Sequence, residues 1–107
     1  FSKIGGEMVP HGLIEEKLHQ AAGEEDQVFV VTSVSDERRG ERIAVVHTID
    51  PEELSGVLEG MHSLGLPNLF IPKKDDFVKV DALPILGTGK TDLRAVKQTA
   101  MDALTES

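Results

Sequence analysis

The sequence predicts an α+β fold: a small mixed domain with an N-terminal β-hairpin, a central mainly antiparallel sheet and three helices. Two observations carry most of this. A pair of Val/Ile-rich runs is separated by a polar turn, and three apolar stripes at helical spacing are bounded by capping residues. The length, 107 residues, suits one domain, and with 39% hydrophobic residues the chain can build a modest core without staples. The expected order is β-hairpin, α, β, β, α, β, β, loop, α, in two layers or three.

Taken in order, Ser2-Lys3-Ile4-Gly5-Gly6-Glu7-Met8-Val9-Pro10 reads as two short extended runs that turn at the glycine pair. From His11 to Ala22, Leu13, Ile14, Leu18, Ala21 and Ala22 recur at helical spacing, and Gly23 supplies a left-handed stop. Val28 to Val34 and Arg42 to Thr48 read as an antiparallel pair, with the polar segment from Ser35 to Glu41 as the turn. Asp50-Pro51-Glu52-Glu53 offers an N-cap, a proline at the first helical position and an acidic residue at N3. Leu54, Val57, Leu58, Met61 and Leu64 follow, and Gly65 ends the helix. Asn68 to Pro72 and Phe77 to Val80 read as two further strands, and Pro84 to Gly89 as a loop. Asp92 caps a last helix whose stripe is Leu93, Val96, Ala100, Ala103 and Leu104.

Eleven Lys+Arg against nineteen Asp+Glu leave a formal net charge of −8, which argues against nucleic acid as a partner because that affinity rests on clustered cations. Without cysteine there is no disulfide, no thiolate zinc site and no cysteine nucleophile, so any thiol chemistry must use another molecule's sulfur. The longest apolar stretch, around Val28 to Val31, is far short of the roughly 20 residues that cross a membrane. No transmembrane segment or secretion signal is expected here. A chain opening at Phe1 without an initiator methionine reads as a fragment.

Leu83-Pro84-Ile85-Leu86-Gly87-Thr88-Gly89-Lys90-Thr91 is a glycine-bracketed loop that delivers a lysine just ahead of a helix. A phosphate-binding P-loop needs its first glycine where Pro84 stands, and proline lacks the amide hydrogen such a nest uses. A mobile loop that presents one ammonium where negative charge builds up is a different device, and an exposed lysine in a flexible turn is the plain alternative. His11, His19, His47 and His62 lack the i, i+4 spacing of a helical zinc pair and read as solvated or locally bonded; no metal site is expected. The acidic clusters Glu15-Glu16, Glu24-Glu25-Asp26, Glu52-Glu53 and Asp75-Asp76 read as solvated surface. No serine is framed as a nucleophile elbow.

Three separated segments together resemble the C-terminal domain of the adenylate-forming superfamily of acyl-CoA synthetases, peptide-synthetase adenylation domains and luciferase. Lys3-Ile4-Gly5-Gly6-Glu7-Met8-Val9 with Ile14-Glu15 resembles its hairpin motif. Val34-Ser35-Asp36 with Gly40-Glu41 resembles its middle signature, and Leu83-Pro84 with Gly89-Lys90 its closing motif, in which the lysine stands six positions after the proline. Within the superfamily, Phe1 to His11 and Gly87 to Lys97 are most similar to the acyl-ACP synthetase part of 2-acylglycerophosphoethanolamine acyltransferases.

The resemblance implies that residues 1–107 are the C-terminal mobile domain of an AMP-forming acyl ligase whose N-terminal ATP-binding domain lies before Phe1. Lys90 would be the catalytic lysine of adenylation, with Pro84, Gly87 and Gly89 shaping its loop. Lys3, Gly5 and Gly6 would form the hairpin that borders the tunnel for a pantetheine thiol. ATP with Mg2+ would serve the full-length enzyme, a fatty or other carboxylic acid would be the substrate, and CoA or an acyl carrier protein the thiol acceptor. The isolated domain would bind no cofactor and be inactive. The same resemblance implies a cytoplasmic enzyme fused to a lysophospholipid acyltransferase and associated with the cytoplasmic face of the inner membrane.

The sequence also departs from the family pattern. Met8 replaces a frequent arginine, which favours a carrier protein over CoA, and Leu93 stands where many relatives carry arginine, with Arg94 one step later. Against the ligase reading stand a non-catalytic protein-interaction module and a small P-loop phosphotransferase.

Overall fold

Apolar residues run unbroken through Val28–Val31 and Ile43–Val46, a pattern that suits strands covered on both faces rather than one. The computed structural model describes residues 2–4, 7–36 and 40–104. In it β3 (Phe29–Asp36) and β4 (Gly40–His47) pair antiparallel, from Phe29 opposite His47 to Asp36 opposite Gly40. β5 (Phe77–Lys79) joins β4 in parallel, which gives the strand order β3-β4-β5. A separate hairpin precedes them, β1 (Ser2–Ile4) against β2 (Glu7–Val9), with Lys3 opposite Met8. The glycine pair of its turn lies outside the described residues.

Alternate residues of β3 and β4 face opposite ways and build two cores. Phe29, Val31, Ile43 and Val45 pack with Val9, with Ile14 and Leu18 of α1 (His11–Ala22) and with Leu54, Val57 and Met61 of α2 (Leu54–Ser63). Val30, Val34, Ala44 and Val46 pack with Val78 and with Val96 and Ala100 of α3 (Leu93–Leu104). The arrangement is three-layered: α1 and α2 lie on one side of the sheet and α3 on the other, while the hairpin sends Val9 into the α1/α2 core and sets β1 against β4. Arg42 fastens the second core, its Nε 3.4 Å from Asp76 Oδ1 and its Nη2 donating to the Leu104 carbonyl at 3.3 Å.

The capping signals were sound at two helix ends. Gly23 closes α1 at φ 69°, and the Asp92 carboxylate accepts the Ala95 amide at 3.1 Å. Elsewhere the structure corrects the sequence reading. Asn68–Phe70 is a 3-10 turn rather than a strand: the Phe70 amide reaches back to the Pro67 carbonyl, and Pro67 and Pro72 bracket a segment too short to pair. Asp50 makes no side-chain cap, because Pro51–Glu53 winds as a 3-10 turn before α2 begins. The β3–β4 ladder runs on to Asp36 and Gly40, so the connecting turn is shorter than the Ser35–Glu41 segment suggests. Leu93 and Ala103 leave the predicted α3 stripe for solvent, and Met101 packs in their place.

His47 is not solvated, the first of the two states expected from sequence: it is 1% exposed, lies between the rings of Phe29 and Phe77, and its Nδ1 has no hydrogen-bond partner among the described residues. Burial lowers its pKa from 6.5 against the opposing pull of the Ile49 backbone, and burial likewise lowers that of His11. The unfolded chain therefore takes up protons at a pH where the folded chain does not. Stability should be level above about pH 6.5 and fall as pH drops from there toward the folded-state values. Thermal melts between about pH 7.5 and about pH 5.5 should show this decline, and His47→Gln should flatten it; a parallel decline in the variant would remove His47 as its source.

Candidate functional site

Beyond Lys79 the chain loops back toward α3, and Gly89 decides the shape of this loop. Its φ of 88° is open to glycine and strained for other residues. The Gly89 amide donates to the Leu86 carbonyl at 2.9 Å and the Leu86 amide to the Lys90 carbonyl at 2.7 Å, closing a three-residue hairpin turn. An antiparallel bridge pairs Ile85 with Thr91, and the Asp92 amide donates to the Pro84 carbonyl at 2.9 Å. The loop expected to be mobile is thus stapled at its base. Pro84 sets one end of the staple and Gly89 the turn. Gly87 has no positive φ, and a Cβ there would meet nothing within 4 Å.

Lys90 emerges from this turn exposed, and its ammonium has no hydrogen-bond or ion-pair partner among the described residues. Near it in sequence, Leu86, whose amide bonds the Lys90 carbonyl, and Ile85 and Leu93 are large apolar residues left 46%, 67% and 65% exposed. Three large apolar side chains left in water within one short segment suit a surface that docks. The loop amides of Leu86, Gly89 and Asp92 are consumed by the staple, which leaves none of these three free to cradle a phosphate and weighs against the P-loop reading.

Behind the loop lies a cavity of about 260 Å³ lined by Gln27, Thr48, Leu83, Ile85, Gly89 and Thr91. Thr91 Oγ1 donates to Gln27 Oε1 at 3.1 Å, and Gln27 Nε2 donates to Glu15 Oε1 at 3.2 Å. Glu15 is therefore half-buried and bonded, unlike the solvated acid the sequence suggested; burial raises its pKa, with Gln27, the His19 ring and the Val31 backbone opposing. His19 works beside it. Its Nε2 accepts the amides of Val28 and Phe29 at 3.0 and 3.3 Å, so the proton sits on Nδ1, 2.7 Å from the Glu15 carbonyl. A larger cavity of about 420 Å³ between α1 and α2 is rimmed by Glu24, Glu52 and Glu53, a poor host for phosphate.

The second predicted group is divided. Lys3 lies in β1, while Gly5 and Gly6 fall outside the described residues. β2 carries the exposed Met8 on the strand whose Val9 enters the α1/α2 core, across the sheet from α3. Among the described residues no group of three or more His, Cys, Asp or Glu side chains is placed to hold a metal. No helix there is long and apolar enough to cross a membrane.

Solved structures with this arrangement include an AMP-forming acyl-CoA synthetase/AMP-acid ligase II-like protein from Dyadobacter fermentans. It is 19% identical with a TM-score of 0.75, over 92% of this chain and 29% of that one. ATP-bound MatB from Rhodopseudomonas palustris matches at 22% identity and a TM-score of 0.74, over 96% of this chain and 20% of its own. The chain has the fold of a segment of adenylate-forming acyl-CoA synthetases. Among curated proteins, malpibaldin synthetase from Mortierella alpina is 33% identical over 102 residues, 94% of this chain and 2% of that protein. The chain thus spans a small part of each of these proteins. No protein-family model matches it.

Proposed function

We propose that this chain is the C-terminal mobile domain of an ATP-dependent, AMP-forming acid:thiol ligase, with Lys90 serving adenylation and the β1–β2 hairpin serving thioester formation. The observation that carries the reading is Lys90 itself: an exposed ammonium, without a polar partner among the described residues, on a stapled turn in a fold shared with an ATP-bound structure. When a carboxylate oxygen attacks the α-phosphate and pyrophosphate leaves, negative charge gathers about one phosphorus. A cation held against both reactants orients them and stabilises that charge. Lys90 is the electrostatic clamp in this scheme, and Ile85, Leu86 and Leu93 seat the loop on the larger ATP-binding domain. Mg2+ travels with the nucleotide, and no residue described here is assigned to it.

The hairpin and the Lys90 turn belong to separate parts of the fold, Val9 entering the α1/α2 core and α3 the other, and this suits an exchange of the presented face between half-reactions. The acceptor is a pantetheine thiol passing Lys3, Gly5 and Gly6. Met8, apolar and 57% exposed, offers no charge to a nucleotide phosphate and favours an acyl carrier protein over CoA. The substrate is a fatty or other carboxylic acid. The parent enzyme is cytoplasmic, joined to a lysophospholipid acyltransferase at the inner membrane face, as in the acyl-ACP synthetase part of 2-acylglycerophosphoethanolamine acyltransferases.

Measuring the two half-reactions separately tests the scheme. In the complete enzyme, Gly6→Leu should block thioester formation from supplied acyl adenylate while pyrophosphate release changes little, because the side chain fills the thiol's path. Equal loss in both would remove the hairpin from its assigned role. A non-catalytic interaction module, the alternative favoured by the exposed Ile85, Leu86 and Leu93, predicts no pyrophosphate release at all.

A further inference from the structure

We propose that Gln27 is a positioning residue for Lys90, acting through Thr91; this rests on the adenylation role given to Lys90 above. The loop carrying Lys90 borders a cavity of about 260 Å³, and although Leu83 before it and Val96 after it pack on the second core, no residue from Pro84 to Asp92 joins either core, so packing alone does not fix where it stands. Its backbone bonds, Leu86 to Lys90, Gly89 to Leu86 and Asp92 to Pro84, are all internal to the segment 84–92. They set its shape and leave its orientation to other contacts.

The Thr91 hydroxyl supplies an anchor. It donates to the Gln27 carboxamide just ahead of β3, 64 positions away in sequence, and that carboxamide donates onward to Glu15 on α1. Three elements distant in the chain thereby hold the residue next to the lysine. Gln27 can do this because its amide group accepts from Thr91 with the oxygen and gives to Glu15 with the nitrogen, which fixes its own rotation. Glutamate there would lose the donor and face a second carboxylate. The neighbouring His19 holds the Val28 and Phe29 amides, so the backbone from which Gln27 projects is itself secured.

The test uses the complete protein and two readouts. In amide exchange, Thr91→Val and Gln27→Met should each speed exchange of the 84–92 segment by about 3- to 10-fold, the scale of one hydrogen bond, and Thr91→Ser should restore it. In kinetics, the same two variants should lower kcat for acyl-adenylate formation by about 10- to 100-fold with KM for ATP little changed, and leave thioester formation from supplied adenylate intact. Unchanged exchange in both variants overturns the anchor, whatever the chain's activity. Faster exchange with undiminished adenylation, in an enzyme that Lys90→Ala disables, overturns the positioning role while sparing the ligase reading. If Lys90→Ala itself leaves adenylation intact, the ligase reading falls and the proposal with it.

Discussion

Replacing Lys90 with alanine in the complete enzyme should lower acyl-adenylate formation by about 10²- to 10³-fold, the usual cost of removing one preorganised partner of a developing charge. Thioester formation from supplied acyl adenylate should persist, because the scheme withdraws the lysine before that step. The side chain is exposed and makes no polar contact among the described residues, so the melting temperature should not move. That combination separates a chemical role from a structural one. Lys90→Arg should recover only part of the rate, since a planar guanidinium on a longer reach does not replace a compact ammonium. Pyrophosphate release assayed beside a thermal melt reads both, and equal loss of the two half-reactions would overturn the assignment.

Phe29→Ala should be the most damaging single change to the fold. The ring is fully buried at the start of β3 and meets His19 edge-on at 5.1 Å and His47 at 6.2 Å. Truncating a buried phenylalanine costs about 3–5 kcal/mol, a large part of the 5–15 kcal/mol that holds a typical domain together. Here it also strips packing from two histidines, one of which holds the backbone just after Gln27. The denaturant midpoint should drop steeply, and Phe29→Leu should recover about half of the loss because most of the volume returns. A midpoint within experimental error of the wild type would mean that the core is not organised around this ring.

Much of the fold was legible because its signals are local. Gly23 and Asp92 mark helix ends through bonds that span three to five residues, and the apolar runs at Val28–Val31 and Ile43–Val46 announce a sheet covered on both faces. Leu69, Phe70 and Ile71 misled because a short apolar run fits a strand and a 3-10 turn equally; the flanking prolines decided it. Lys90 could be singled out as a candidate through motif resemblance, while its glycines alone left it open to being an exposed lysine in a turn. Its support could not: Thr91, Gln27 and Glu15 meet only after folding, and no spacing rule links a threonine to a glutamine 64 positions earlier. The burial of His47 was hidden for a related reason. Nothing in the order of β4 distinguishes a polar residue facing water from one enclosed between Phe29 and Phe77.

β3 is the outermost strand of the sheet, and its leading amides are occupied by an imidazole from α1 rather than by another strand. Such a margin is a natural template for neighbouring molecules to extend into shared ribbons. His19 stoppers the start of it. In the scheme proposed above, where the domain swings between two poses, this flank would meet open water with its first amides already taken.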